Sequence, residues 1–126
     1  MEIVNPVVNR GGSIVLLLFW RSGARVNQDY TIFVHLVNAR GQMMAGFDSP
    51  PRQGSAPTSH WRPYELIPDG RIIPIGASVP PGQYQITLGL YDPATMQRLS
   101  VLDANGAPIS DKVVIAPITV EDQVVQ

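Results

Sequence analysis

Apolar and polar residues alternate along this chain in short runs, and the clearest run is Gln83 to Tyr91. Tyr84, Ile86, Leu88 and Leu90 fall on one side of it, and Gln83, Gln85, Thr87, Gly89 and Tyr91 on the other. That is the period of two expected of a half-buried strand. Tyr30 to Val37 predicts a second strand. Ser13 to Arg21 differs, because Ile14/Leu16/Leu18/Trp20 and Val15/Leu17/Phe19 are both apolar faces. Such a run predicts a central strand covered on both sides. Asn38-Ala39-Arg40-Gly41 reads as a tight turn, with Gly41 at positive φ, and returns the chain along Gln42 to Phe47 as a hairpin. Glu65 to Ile75 predicts a strand interrupted near Pro68-Asp69-Gly70. Arg98 to Leu102 and Lys112 to Val120 follow, separated by the turn signal Asn105-Gly106. Pro6 confines a weak first strand, Ile3 to Val8, to a sheet edge, and Pro117 argues the same for the last strand. Residues 120–126 read as a frayed tail.

Twelve prolines and eleven glycines punctuate these runs, and no window carries an apolar stripe of helical period over three turns. Short strands at this spacing predict a single all-β domain over residues 1–126, a sandwich or a barrel. Asp48 to Pro63 is the one long irregular segment, with four prolines. Loops of this length are usually functional or mobile.

Composition narrows the function. Hydrophobic residues make up 44% and charged residues 15%, against about 25% charged in ordinary domains, so the chain is a packed globule. The net charge is −1, and Lys112 is the single lysine. Nucleic acid and anionic membrane surfaces are therefore not expected partners. There is no cysteine, which excludes disulfides and thiolate chemistry. The longest apolar run, Ile14 to Trp20, is too short to span a bilayer as a helix and lacks the flanks of a signal peptide. Direct membrane insertion is not expected, and an export signal or anchor would lie outside this chain.

Several stretches together carry a resemblance. They are Leu16-Leu17-Leu18-Phe19-Trp20, Asp29 through Val37, Gly41, Asp48, Gly54 through Trp61, Pro80-Pro81-Gly82-Gln83-Tyr84, Gly89-Leu90-Tyr91-Asp92 and Arg98-Leu99. In this order and spacing the chain resembles, from about Val15 to Leu99, the C-terminal β-sandwich domain of bacterial multi-pass membrane glycosyltransferases of the lipid-phosphate-sugar-dependent type. It departs at Pro63-Tyr64-Glu65, where that family tends to have Gly-Glu. The resemblance implies an antiparallel β-sandwich of about seven to nine strands, immunoglobulin-like or carbohydrate-module-like. It implies an extracytoplasmic location, periplasmic or cell-surface, and a membrane-embedded glycosyltransferase part as partner. It implies no catalytic residues.

Catalytic chemistry has little to build on. A hydroxyl nucleophile needs a histidine base and an orienting acid, and only His35 and His60 are present, with no Gly-x-Ser-x-Gly elbow. Asp29, Asp48, Glu65, Asp69, Asp92 and Asp103 fall at expected turns or strand ends, where carboxylates cap backbone amides. No cofactor is expected. Asp48, Asp92 or Asp103 would be the ligands if Ca²⁺ bound at one end of the domain. Zinc has too few ligands, and Gly11-Gly12 makes no phosphate loop.

The aromatic residues remain. Phe33 and His35 share one strand face, and Tyr91 shares another with Gln83 and Gln85. If those faces coincide, and Trp61 joins them from the long loop, they form an aromatic and amide surface suited to a sugar. The competing reading puts Phe33 and Tyr91 under the Asp48 to Pro63 loop, with Trp61 as its anchor. The expected function is a non-catalytic accessory module binding an extracellular glycan or glycolipid head group through Phe33, His35, Trp61, Gln83, Gln85 and Tyr91. The alternative is a structural or protein-docking domain with no sugar ligand.

Overall fold

The computed structural model describes residues 2–3 and 7–122. Its regular structure is ten strands and two short 3₁₀ turns, at Pro51–Gly54 and Thr58–His60, and the described residues form no α-helix. A three-stranded sheet has the order β1 (Glu2–Ile3), β3 (Ser13–Trp20), β6 (Ile67–Pro74). A five-stranded sheet has the order β2 (Val7–Asn9), β10 (Val113–Glu121), β7 (Gly82–Tyr91), β4 (Thr31–Val37), β5 (Met43–Ser49). A small hairpin joins β8 (Val101–Leu102) to β9 (Pro108–Ser110).

The alternating run at β7 buries Tyr84, Ile86 and Leu88, as its pattern requires. These pack with Ile32, Val34 and Leu36 of β4, Ile118 and Val120 of β10, Ile14, Leu16 and Leu18 of β3, and Ile73 of β6. Both larger sheets therefore feed one apolar cluster. The β4–β5 hairpin closes as expected: Gly41 has φ +76°, and the Asn38 side-chain oxygen accepts from the Arg40 and Gln42 amides. At Asn105-Gly106 the Asp103 carboxylate accepts from the Asn105 and Ala107 amides. This hairpin adds β9, which the sequence pattern does not predict.

Several expectations are corrected. The pairing is not wholly antiparallel, because β2 runs parallel to β10. The expected first strand is two strands in different sheets, β1 on β3 and β2 on β10; Pro6 lies outside the described residues. The last strand is not an edge, since β10 lies between β2 and β7. Pro117 is tolerated because β2 pairs only with Thr119, Val120 and Glu121, leaving β10 a local edge at the proline. The tail starts later than expected: Val120 is buried and β10 runs to Glu121. β3 is central, but on its second side Leu17 and Phe19 are exposed among the described residues. Tyr64, at the point of departure from the resembled family, holds the left-handed φ of +65° that a glycine would adopt freely.

The largest correction is β6, which runs unbroken through Pro68-Asp69-Gly70. Its even positions face out, and Ile67, Asp69, Arg71 and Ile73 face in. Asp69 and Arg71 are essentially inaccessible and form an ion pair, Arg71 Nη2 to Asp69 Oδ2 at 3.0 Å. Arg71 also donates to the carbonyls of Ile32 in β4 (3.3 Å) and Ser49 in β5 (3.0 Å). Asp69 accepts from the Trp20 indole (3.0 Å) and the Arg52 amide (2.9 Å). The pair thus ties the two larger sheets and the start of the long loop together. Removing one member of such a pair leaves a buried charge unpaired, at a cost of about 3–5 kcal/mol. Asp69→Ala and Arg71→Ala should each lower the unfolding free energy in urea by that order, whereas Arg62→Ala, at an exposed position, should change it by less than about 0.5 kcal/mol.

Candidate functional site

Six residues were expected to converge, and the structure divides them into three groups. Phe33, His35, Tyr91, Gln83 and Gln85 all lie on one side of the five-stranded sheet, opposite the apolar cluster, but only the first three are neighbours there, since Thr87 stands between His35 and the two glutamines. Phe33 faces Gly89 across the β4–β7 pair, and a Cβ at Gly89 would stand 2.4 Å from the Phe33 ring. His35 faces Gly46 across the β4–β5 pair, where a Cβ would stand 2.9 Å from the imidazole. The two glycines make room for both rings to lie on the strands, with centroids 4.8 Å apart.

These rings are not a platform open to solvent. The Arg98 guanidinium sits 4.2 Å from the Phe33 ring centroid, and Phe33 is only 1% exposed. Asp48 of β5 binds both neighbours: one carboxylate oxygen pairs with His35 Nε2 at 3.0 Å, and the other accepts from the Tyr91 hydroxyl at 3.1 Å. Arg98 continues to Asp111 at 3.5 Å. Phe33 is therefore covered, but by the connection between β7 and β10 rather than by the Asp48 to Pro63 loop. Sequence reasoning missed Asp48, Arg98 and the two glycines as members of this cluster; the glycines were the readable signal, being cross-strand partners of rings.

Trp61 is elsewhere. It is buried within its own loop, its indole donating to the Ala56 carbonyl at 2.8 Å. It anchors the loop and adds nothing to the Phe33 cluster. Gln83 and Gln85 are exposed. With Val37, Asn38 and Pro117 they line an open cavity of about 380 Å³ beside the β4–β5 turn.

Two surfaces outside the expected six stand out. β3 and β6 present Val15, Leu17, Phe19, Pro68, Gly70, Ile72 and Pro74 on the side of their sheet away from the core. Neither strand puts a charged residue there, and Phe19 (45%) and Ile72 (58%) are openly exposed. The second is a mostly polar cleft bounded by Gln28, Tyr30, Asp92, Gln97, Arg98, Leu99 and Ser100. Among the described residues no group of three or more His, Cys, Asp or Glu side chains is placed to hold a metal ion. Asp48 and Asp103 are engaged in the hydrogen bonds given above, and Asp92 caps the Ala94 amide. No helix among the described residues is long and apolar enough to cross a membrane.

No protein-family model matches the chain, and no curated protein matches it.

Two ionisable groups reflect their local geometry. Hydrogen bonds from Ser59 hold the Asp29 carboxyl below the usual range. Burial pushes the Tyr91 phenol up, helped by its bond to the Asp48 carboxylate. A phenol raised above its unfolded value favours the fold while neutral. That contribution is present below the ordinary tyrosine range, about 10, and is lost as pH rises through the higher folded value. In a tyrosinate absorbance titration, the component removed by Tyr91→Phe should ionise above the ordinary tyrosine range. Asp48→Asn should bring that component down.

Proposed function

We propose that this chain is a non-catalytic docking domain that packs the outer side of its three-stranded sheet against a partner protein. The reading takes the two larger sheets as the layers of an immunoglobulin-like sandwich. The observation that carries it is the uncharged face of β3 and β6, with Leu17, Phe19 and Ile72 exposed. Contiguous apolar surface of this kind marks interaction sites on folded domains. The partner chemistry follows from the part of the face that β3 and β6 make: an apolar protein surface, since these two strands offer no charge there and the one charged position of the sheet on that side is Glu2 of β1, opposite Leu17. The patch is small beside the roughly 800 Å² per partner of a free-standing stable complex. It suits a partner held nearby, where effective concentration replaces contact area. The resemblance to a membrane glycosyltransferase domain points to the membrane-embedded part of such an enzyme, on the extracytoplasmic side.

The glycan-module reading is second. Gln83 and Gln85 favour it, as amides beside an apolar floor of Val37 and Pro117. It is weakened by the burial of Phe33 and Trp61, which leaves no exposed pair of aromatic rings beside those amides.

Photo-crosslinking separates the two. A benzophenone side chain placed at position 19 or 72, in cells making the chain at native level, should form an adduct with one membrane glycosyltransferase polypeptide. The same group at position 112 should not. Leu17→Ser combined with Ile72→Ser should abolish the adduct formed from position 19 while leaving the urea midpoint of the domain within its usual range. Adducts only between copies of this chain, or none from either position, would reject the docking reading.

A further inference from the structure

We infer that the cleft between the Gln28–Tyr30 segment and the turn after β7 is a binding site for a neutral polyhydroxylated ligand, a sugar ring. This deepens the second reading given above but moves its site away from the Gln83–Gln85 groove.

Both walls of the cleft are held before any ligand arrives. On one side, the Tyr30 amide donates to the Thr58 hydroxyl at 3.0 Å, and that hydroxyl donates to the Gln28 carbonyl. The Ser59 amide donates to Asp29 at 3.0 Å. The buried Thr58 thus clamps the irregular segment before β4 that carries Gln28 and Tyr30. On the other side, the Asp92 amide donates to the Gln97 carbonyl at 2.9 Å, the Met96 amide to the Asp92 carbonyl at 2.7 Å, and the Leu99 amide to the Leu90 carbonyl at 2.9 Å. Met96 takes φ +62° to close this turn. Arg98 is fixed by its stack on Phe33 and its ion pair with Asp111. A site whose walls are already ordered loses less freedom on binding.

The groups facing the cleft suit hydroxyls. Asp92 uses one carboxylate oxygen to cap Ala94, which leaves the other as an acceptor. Arg98, Gln97, Gln28 and Ser100 supply planar amide or guanidinium donors and a hydroxyl around the same space. Carboxylate and guanidinium together match a pair of adjacent hydroxyls, one donating and one accepting. Tyr30 adds an aromatic ring with a polar tip. The cavity, about 320 Å³, lies at the small end of ligand sites, so it takes a small ligand and not a long chain. Charge decides against an anion: Arg98 is flanked by Asp92 and Asp111, so the surroundings repel phosphate or carboxylate.

The test is an amide-shift titration of the whole chain with glucose, galactose, mannose and N-acetylglucosamine, each to tens of millimolar, the range of weak single-site binding. At least one sugar should give saturating shifts centred on Gln28, Tyr30 and Gln97–Ser100. Gln97→Ala and Tyr30→Ala should each weaken it at least about fivefold, with the rest of the spectrum unchanged. Asp92→Asn, which keeps the Ala94 cap, should weaken it as well. Shifts centred instead on Gln83 and Gln85 would overturn this site while supporting a glycan module. Absence of localised shifts with every sugar would overturn both. Shifts at the cleft that survive all three substitutions would overturn the assignment of these side chains.

Discussion

The buried pair of Asp69 and Arg71 is the constraint around which the domain is arranged. Two charges taken from water into an apolar interior are costly unless nearly every hydrogen-bonding position is used. Here Asp69 receives Arg71, the Trp20 indole and the Arg52 amide. Arg71 in turn reaches the Ile32 and Ser49 carbonyls. These partners belong to both larger sheets and to the long loop, so the pair fixes their mutual position where an apolar contact would fix only their proximity. Its planar fork of donors is what makes arginine suitable at such a junction. The proline-rich loop can then be irregular without being loose, since one end is tied to Asp69 and its middle to Gln28 through Thr58.

The five-stranded sheet follows a different rule on its side away from the core. The rings of Phe33 and His35 lie there beside neighbours that lack a side chain, Gly89 and Gly46. Once the rings lie flat, Asp48 can reach His35 and Tyr91 together. Arg98 closes over Phe33 and holds the turn after β7 in place. Aromatic surface that would otherwise be free to stack on a ligand is spent on positioning that turn. The same arrangement makes the wall of the polar cleft, so the covered ring and the open cleft have one cause.

How much of this the sequence disclosed depends on the range of the interaction. Strands β4, β7 and the β4–β5 turn rest on local alternation and on Gly41, and were legible. Asp69 was not, because Pro68-Asp69-Gly70 is turn chemistry by local rules. The strand runs on because it pairs with β3 without a break, and Arg71 and Trp20 satisfy the carboxylate that this buries, a fact of the fold. β3 misled for the opposite reason. An apolar run on both faces is the mark of a strand buried twice, yet nothing among the described residues covers Leu17 and Phe19. Trp61 shows the same limit: an indole in a long loop looks available, but a carbonyl five residues earlier takes its donor. Of the expected site, Phe33, His35, Tyr91, Gln83 and Gln85 do share a face, as the alternation implied; the two glutamines stand apart from the ring cluster along that face, and Trp61 is not on it.

The exception at β3 is itself informative. A chain with only 15% charged residues has few means of keeping apolar faces soluble, yet the β7–β10 connection covers Phe33 while β3 and β6 keep Leu17, Phe19 and Ile72 open. Sheet faces left apolar without a cover are aggregation hazards that folded proteins otherwise blunt with charge. Among the described residues, that exposed apolar surface is what the docking proposal rests on. The polar cleft needs no such partner, because its lining is already compatible with water. The two surfaces use different residues, so a partner seated on β3 and β6 need not compete for Tyr30, Asp92 or Arg98. Under the two proposals, the domain would be held by one side and remain open on another.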